Sequence, residues 1–121
     1  MAKILIVDDS AFARNNLKII VESGGHEVTG MAESSEQALE LFSVLNPDIV
    51  MLDYLMSGQS GVEALREMIR QKPLTKVIMV SGIRDSAIEE EALATGAKVF
   101  IRKPFTPEKL FNAIDQVMAI E

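Results

Sequence analysis

The chain has 121 residues, 48% of them apolar, which is the size and composition of one compact domain. Its formal charge of −6 argues against nucleic acid or an anionic membrane surface as partner, since those contacts need clustered Lys and Arg. The absence of cysteine excludes disulfides, thiolate metal sites and thiol redox chemistry.

The N-terminal "MAKILIVDD" is too short an apolar run for a signal-peptide core or a membrane span, so the expected location is cytoplasmic. Within it "KILIV" (3–7) reads as a fully buried strand. Ala13, Leu17, Ile20 and Val21 then recur at helical spacing, and "GG" at 24 and 25 closes that helix. His26, isolated beside Gly25, reads as a solvated loop residue. "EVTGMA" (27–32) carries polar and Gly positions and is expected at a sheet edge. Ser34 and Gln37 form a capping box for a second helix that buries Ala38, Leu41, Phe42 and Leu45. "DIVML" (48–52) is a second fully apolar strand, followed by a helix marked by Val62, Leu65 and Ile69 that ends before Pro73. "KVIMV" (76–80) is the next strand. The helix over roughly 86–95 places Glu89, Glu90 and Glu91 beside small residues; its stripe is little more than Ile88, Ala92 and Ala87, so it should be the least anchored. "KVFI" (98–101) precedes a last helix with Thr106 as N-cap and Pro107 at its first position, burying Leu110, Ile114, Val117 and Met118. The seven Met look like packing, and the three Glu like a solvated face.

Five strands alternating with five helices predict an α/β fold, a doubly wound parallel sheet with right-handed crossovers. Such sheets bind ligands outside the carboxyl ends of their strands. Here those ends carry Asp8-Asp9, Asp53, Ser81-Gly82 and Lys103-Pro104. Three carboxylates on one rim repel: two charges about 4 Å apart at an effective dielectric of about 20 cost roughly 4 kcal/mol. Lys103 supplies one positive charge, and oxygen ligands at an open rim suit Mg²⁺ for the rest. That combination points to phosphoryl chemistry. Each residue alone has a plainer reading: Asp8 and Asp9 as helix caps, Asp53 in an Asx turn, Ser81 as a loop hydroxyl, Lys103 as a surface charge. Their joint placement at four strand ends favours a site.

"ILIVDDS" (4–10), "PDIVMLDYLMSGQSG" (47–61), "VIMVSG" (77–82) and "GAKVFIRKPF" (96–105) together resemble the receiver domains of bacterial response regulators, most closely the stand-alone chemotaxis type, CheY. The resemblance covers 1–121 and implies a flavodoxin-like (βα)5 fold with strand order 2-1-3-4-5. It implies a signalling phosphoacceptor rather than an enzyme, one that assists its own phosphorylation and dephosphorylation. Asp53 would accept the phosphoryl group from a histidine kinase or phosphotransfer domain. Asp9, Asp53 and the backbone carbonyl of Leu55 would hold Mg²⁺, with Asp8 assisting through water. Lys103 would pair with phosphoryl oxygens, ahead of a cis Lys103-Pro104 peptide. Ser81 and Phe100 would be the switch pair, and Leu55, Gly82 and Ile83 would flank the phosphoryl group.

The implied output surface is the fourth helix, fifth strand and fifth helix. Its target could be a flagellar motor switch component; a phosphorelay and control of an enzyme stay open, as does excision from a longer regulator. A monomer is expected, with a phosphorylation-linked dimer as the alternative. Relatives usually carry Tyr where Phe100 stands, a polar residue at Leu55 and Pro at Ser57. Phe100 would turn inward on packing alone, and apolar Leu55 and Ile83 predict slower self-dephosphorylation. Competing functions fit less well. An aspartyl-nucleophile phosphatase needs a second acid where Leu55 stands, and a mononucleotide binder would meet repulsion from Asp8 and Asp9. A degenerate scaffold would not retain every core position.

Overall fold

The computed structural model describes residues 1–56 and 59–120. In chain order its elements are β1 (Lys3–Val7), α1 (Ala11–Ser23), β2 (Glu27–Ala32), α2 (Ser35–Leu45), β3 (Ile49–Leu52), β4 (Leu55–Met56), β5 (Gln59–Ser60), α3 (Gly61–Gln71), β6 (Lys76–Ser81), α4 (Ser86–Thr95), β7 (Val99–Arg102) and α5 (Pro107–Met118). Five strands form a parallel sheet in the order β2-β1-β3-β6-β7, which is 2-1-3-4-5 when only its own members are counted. The short β4 and β5 pair antiparallel outside it, a hairpin that the apolar pattern does not announce because each partner is only two residues long.

The apolar runs are explained by burial on both faces. Alternate strand residues Leu5, Val7, Val50, Leu52, Val77 and Met79 meet Ala38, Phe42, Leu65, Met68 and Ala92 from α2, α3 and α4. Their neighbours Ile4, Ile6, Ile49, Met51, Ile78, Val80 and Ile101 meet Leu17, Val21, Leu110, Ile114 and Val117 from α1 and α5. Strand β2 lies at one edge and is half-buried along most of its length, as its mixed composition predicts.

Helix starts follow side-chain chemistry. Ser10, Ser34, Asp85 and Thr106 each accept a hydrogen bond from a backbone N–H of the first turn. The capping box of α2 departs in one detail: Gln37 Oε1 accepts from the N–H of Glu33, one residue before the cap, at 2.9 Å. Helix α4 buries only Ala92, against Gly61, Val62, Ala64, Leu65 and Met68 in α3. It is the least anchored helix by that measure.

Three sequence expectations are corrected. His26 is half-buried and structural, because its Nδ1 accepts from the Ala2 N–H at 3.0 Å and so pins the start of β1. Glu89 is not a solvated charge: Arg102 of β7 donates to its Oε1 from Nε at 3.2 Å and Nη2 at 3.0 Å. Met118, the last residue of α5, is 38% exposed and packs less than its spacing suggests. Of the other Met, Met51, Met56, Met68 and Met79 are buried and Met1 is exposed.

Candidate functional site

Strand pairing delivers the polar residues one position past the strand ends. The Asp8 N–H donates to Ala32 O at 3.1 Å, the Asp53 N–H to Val7 O at 3.0 Å, and the Lys103 N–H to Ser81 O at 2.9 Å. The ladder therefore continues just far enough to hold three backbones at the carboxyl edge of the sheet. Side chains of Asp8, Asp9 and Asp53 gather there, with one carboxylate oxygen of each within 4.8 Å of the others. Lys103 Nζ donates to Asp8 Oδ2 at 2.8 Å and lies 3.9 Å from Asp53 Oδ2.

The three acids differ in setting. Asp8 is 2% exposed and fully engaged: Oδ1 accepts from the Ser10 N–H at 2.9 Å, Oδ2 from Lys103, and its backbone carbonyl from Arg14 Nη1 at 2.6 Å. Asp9 is exposed. Asp53 is half-buried, and burial pushes its carboxyl up from 3.8 to about 6. Lys103 opposes that shift, Asp8 adds to it, and the backbone N–H groups of Tyr54 and Leu55 pull it down. Desolvation outweighs a single ammonium 3.9 Å away.

An oxygen-only cluster with one carboxylate open to solvent and a charge excess over Lys103 fits a hard divalent cation such as Mg²⁺. Asp8, Asp9 and Asp53 are the residues able to hold it. With a cation present the cluster can bind and polarise a phosphoryl group, because Lys103 already faces the same space.

Gly61, at the start of α3, is packed against the acid from behind. A Cβ there would collide with the backbone carbonyl of Asp53, and its N–H donates to Tyr54 O at 2.6 Å. Only glycine permits this approach of helix to strand end. Gly61 lies within the "SGQSG" stretch, but nothing in the spacing marks which glycine is in contact. Arg14 was equally hidden, since a lone Arg in an amphipathic helix reads as a surface charge.

The remaining predicted residues lie around the rim. Ser81 is 1% exposed and its Oγ accepts from the Ile83 N–H at 3.2 Å. Gly82 is exposed, with open space where a side chain would stand. Ile83 is half-buried and Leu55 is 59% exposed. Phe100 is half-buried against the core layer of α2, α3 and α4. The Lys103-Pro104 peptide is cis. Ser57 lies outside the described residues.

A doubly wound sheet of this order, with acids and a lysine at its carboxyl edge, defines a flavodoxin-like receiver fold. The chain belongs to the response regulator receiver domain family, whose profile matches residues 4–115. It is 40% identical to the chemotaxis protein CheY of Thermotoga maritima, over 95% of this chain and 96% of that one. It is 39% identical to the Bacillus subtilis protein CcdB, over 98% of each chain. A chain of the CheX-CheY-BeF3-Mg+2 complex from Borrelia burgdorferi superposes with a TM-score of 0.92 at 31% identity, covering 97% of this chain and 89% of that one. The protein is thus a receiver domain of the two-component type with CheY homologues. Among the described residues, no helix is long and apolar enough to cross a membrane.

Proposed function

We propose that Asp53 accepts a phosphoryl group from the phosphohistidine of a sensor kinase or phosphotransfer domain. The supporting observation is that Lys103 Nζ sits between Asp8 and Asp53, at 2.8 and 3.9 Å, beside a three-carboxylate cluster. A carboxylate oxygen of Asp53 attacks phosphorus in line, the P–N bond breaks, and its electron pair returns to the donor imidazole. Lys103 neutralises the equatorial phosphoryl oxygens as the group passes from nitrogen to oxygen. Asp9, Asp53 and the Leu55 carbonyl would hold Mg²⁺, with Asp8 assisting through water, and the bound ion would supply charge neutralisation at those oxygens.

Added charge on Asp53 then draws Ser81 from its bond to the Ile83 N–H, and Phe100 fills the space behind it. Both side chains belong to the sheet face that carries α4, by the alternation along β6 and β7. The altered α4-β7-α5 surface regulates a protein target; relatives that are chemotaxis proteins favour a chemotaxis pathway, and a flagellar motor component is the target that the resemblance implies. Leu55 and Ile83 shield the acyl phosphate from water and lengthen its life. An enzyme of the aspartyl phosphatase kind is disfavoured, because exposed Leu55 offers no acid for the second half-reaction.

The test is incubation with acetyl phosphate and Mg²⁺, read by intact mass, alongside beryllofluoride titration read by Tyr54 fluorescence. The expected result is a Mg²⁺-dependent single phosphoryl adduct that is lost in Asp53→Asn. An adduct that persists in Asp53→Asn, or none under either donor, would overturn the proposal.

A further inference from the structure

Asp8 is almost completely buried, so each of its polar atoms must find a partner or bear a desolvation cost. Its N–H and both carboxylate oxygens are satisfied by Ala32, Ser10 and Lys103. Its backbone carbonyl is satisfied by Arg14 Nη1 at 2.6 Å. That carbonyl belongs to the peptide joining Asp8 to Asp9, so whatever holds it fixes the plane from which Asp9 springs. Asp9 itself is exposed and lies past the end of β1, where the sheet ladder gives it no support.

Arg14 is well placed for this task. Its side chain is 16% exposed, held on the first turn of α1, and its only ion pair among the described residues is a 4.0 Å contact with a 70% exposed Glu33. A contact of that length to a solvated carboxylate is worth little. The short, charge-assisted bond to the Asp8 carbonyl is the stronger restraint.

We propose that Arg14 is a positioning residue for the metal cluster: by holding the Asp8-Asp9 peptide, it aims Asp9 at the cation bound with Asp8 and Asp53. The inference rests on the reading of those three acids as the Mg²⁺ site. Arg14 is a cation near a cation site, so charge alone says its removal should tighten Mg²⁺ binding. Loss of the peptide restraint says the opposite, and outer partners of metal ligands typically matter by tenfold or more.

The experiment is Mg²⁺ titration by calorimetry on the intact chain and on Arg14→Met, Arg14→Lys, Glu33→Gln and Asp53→Asn, with thermal unfolding of each in EDTA. The expected result is about tenfold weaker binding in Arg14→Met, partial recovery in Arg14→Lys, and no change in Glu33→Gln. Amide exchange at Asp9 and Ser10 should rise in Arg14→Met while β3 amides keep their protection. Tighter or unchanged Mg²⁺ binding in Arg14→Met, or a lowered midpoint with unchanged affinity, overturns the proposal. If Arg14→Met does not fold, Arg14→Lys decides: full wild-type affinity with unprotected Asp9 and Ser10 amides overturns it. Failure of the underlying reading is distinct, because Asp53→Asn would then bind Mg²⁺ as the intact chain does.

Discussion

Gly61 and Gly82 are both close to the site, yet they should respond oppositely to a single methyl group. At Gly61 the methyl meets the Asp53 carbonyl and the Tyr54 Cα, backbone atoms that cannot swing aside as a flexible side chain could. Gly61→Ala is expected to destabilise by roughly 1–3 kcal/mol, the range for an overpacked site that must shift its backbone. It should also weaken Mg²⁺ binding, since the displaced atom belongs to Asp53. At Gly82 nothing lies within 4 Å, so Gly82→Ala should stay within about 0.5 kcal/mol of the parent. Urea unfolding of the two variants checks this, and equal losses would refute it. The contrast also shows what residue-level reading can reach. Asp8, Asp9, Asp53 and Lys103 were legible because strand ends and charge place them together. Gly61, Arg14 and His26 were not, because each acts on a backbone atom outside its own element, and sequence spacing carries no record of such contacts.

At the scale of elements, the long apolar runs and their caps were legible, since burial on both faces leaves a four- to six-residue signature in β1, β3 and β6. The order of those strands came from resemblance to a family, because all three run equally apolar and alternation alone does not rank them. Helix α4 is where pattern and structure inform each other most. Its weak stripe is real, but the Glu89 pair with Arg102 supplies a hold that a run of three acids conceals. Arg102 adjoins Lys103 and pairs directly with Ser81 of β6, so this hold sits next to the site. The pair is half-exposed, which limits it to about 1 kcal/mol or less. That is small for the molecule and large for a helix that buries one alanine. Glu89→Gln should therefore raise amide exchange in α4 by up to about fivefold and leave β6 exchange unchanged. Uniform change across α4 and β6, or none in α4, would show that the pair does not anchor the helix.

At the scale of the whole molecule, the site sets a cost that the fold must carry. Burial of Asp53 raises its carboxyl to about 6, so between pH 4 and pH 6 the native chain binds more protons than the unfolded one. Stability of the metal-free protein must then fall as pH rises through that window, and the loss is complete above the folded value. Full conversion of the shift overstates the effect, because the carboxylate is partly solvated; about 1 to 2 kcal/mol is a suitable magnitude. Asp53→Asn removes the titrating group and keeps the shape. In EDTA at pH 8 it should unfold roughly 5 °C above the parent, and the two midpoints should converge near pH 4. Mg²⁺ should raise the parent's midpoint at pH 8 more than the variant's, since binding to the native state stabilises by mass action. A variant that is no more stable than the parent at pH 8, or whose advantage persists unchanged at pH 4, would mean that Asp53 is not the group storing this energy. The core tolerates the cost because two layers of buried side chains, one on each face of the sheet, converge under the strand ends that carry the acids.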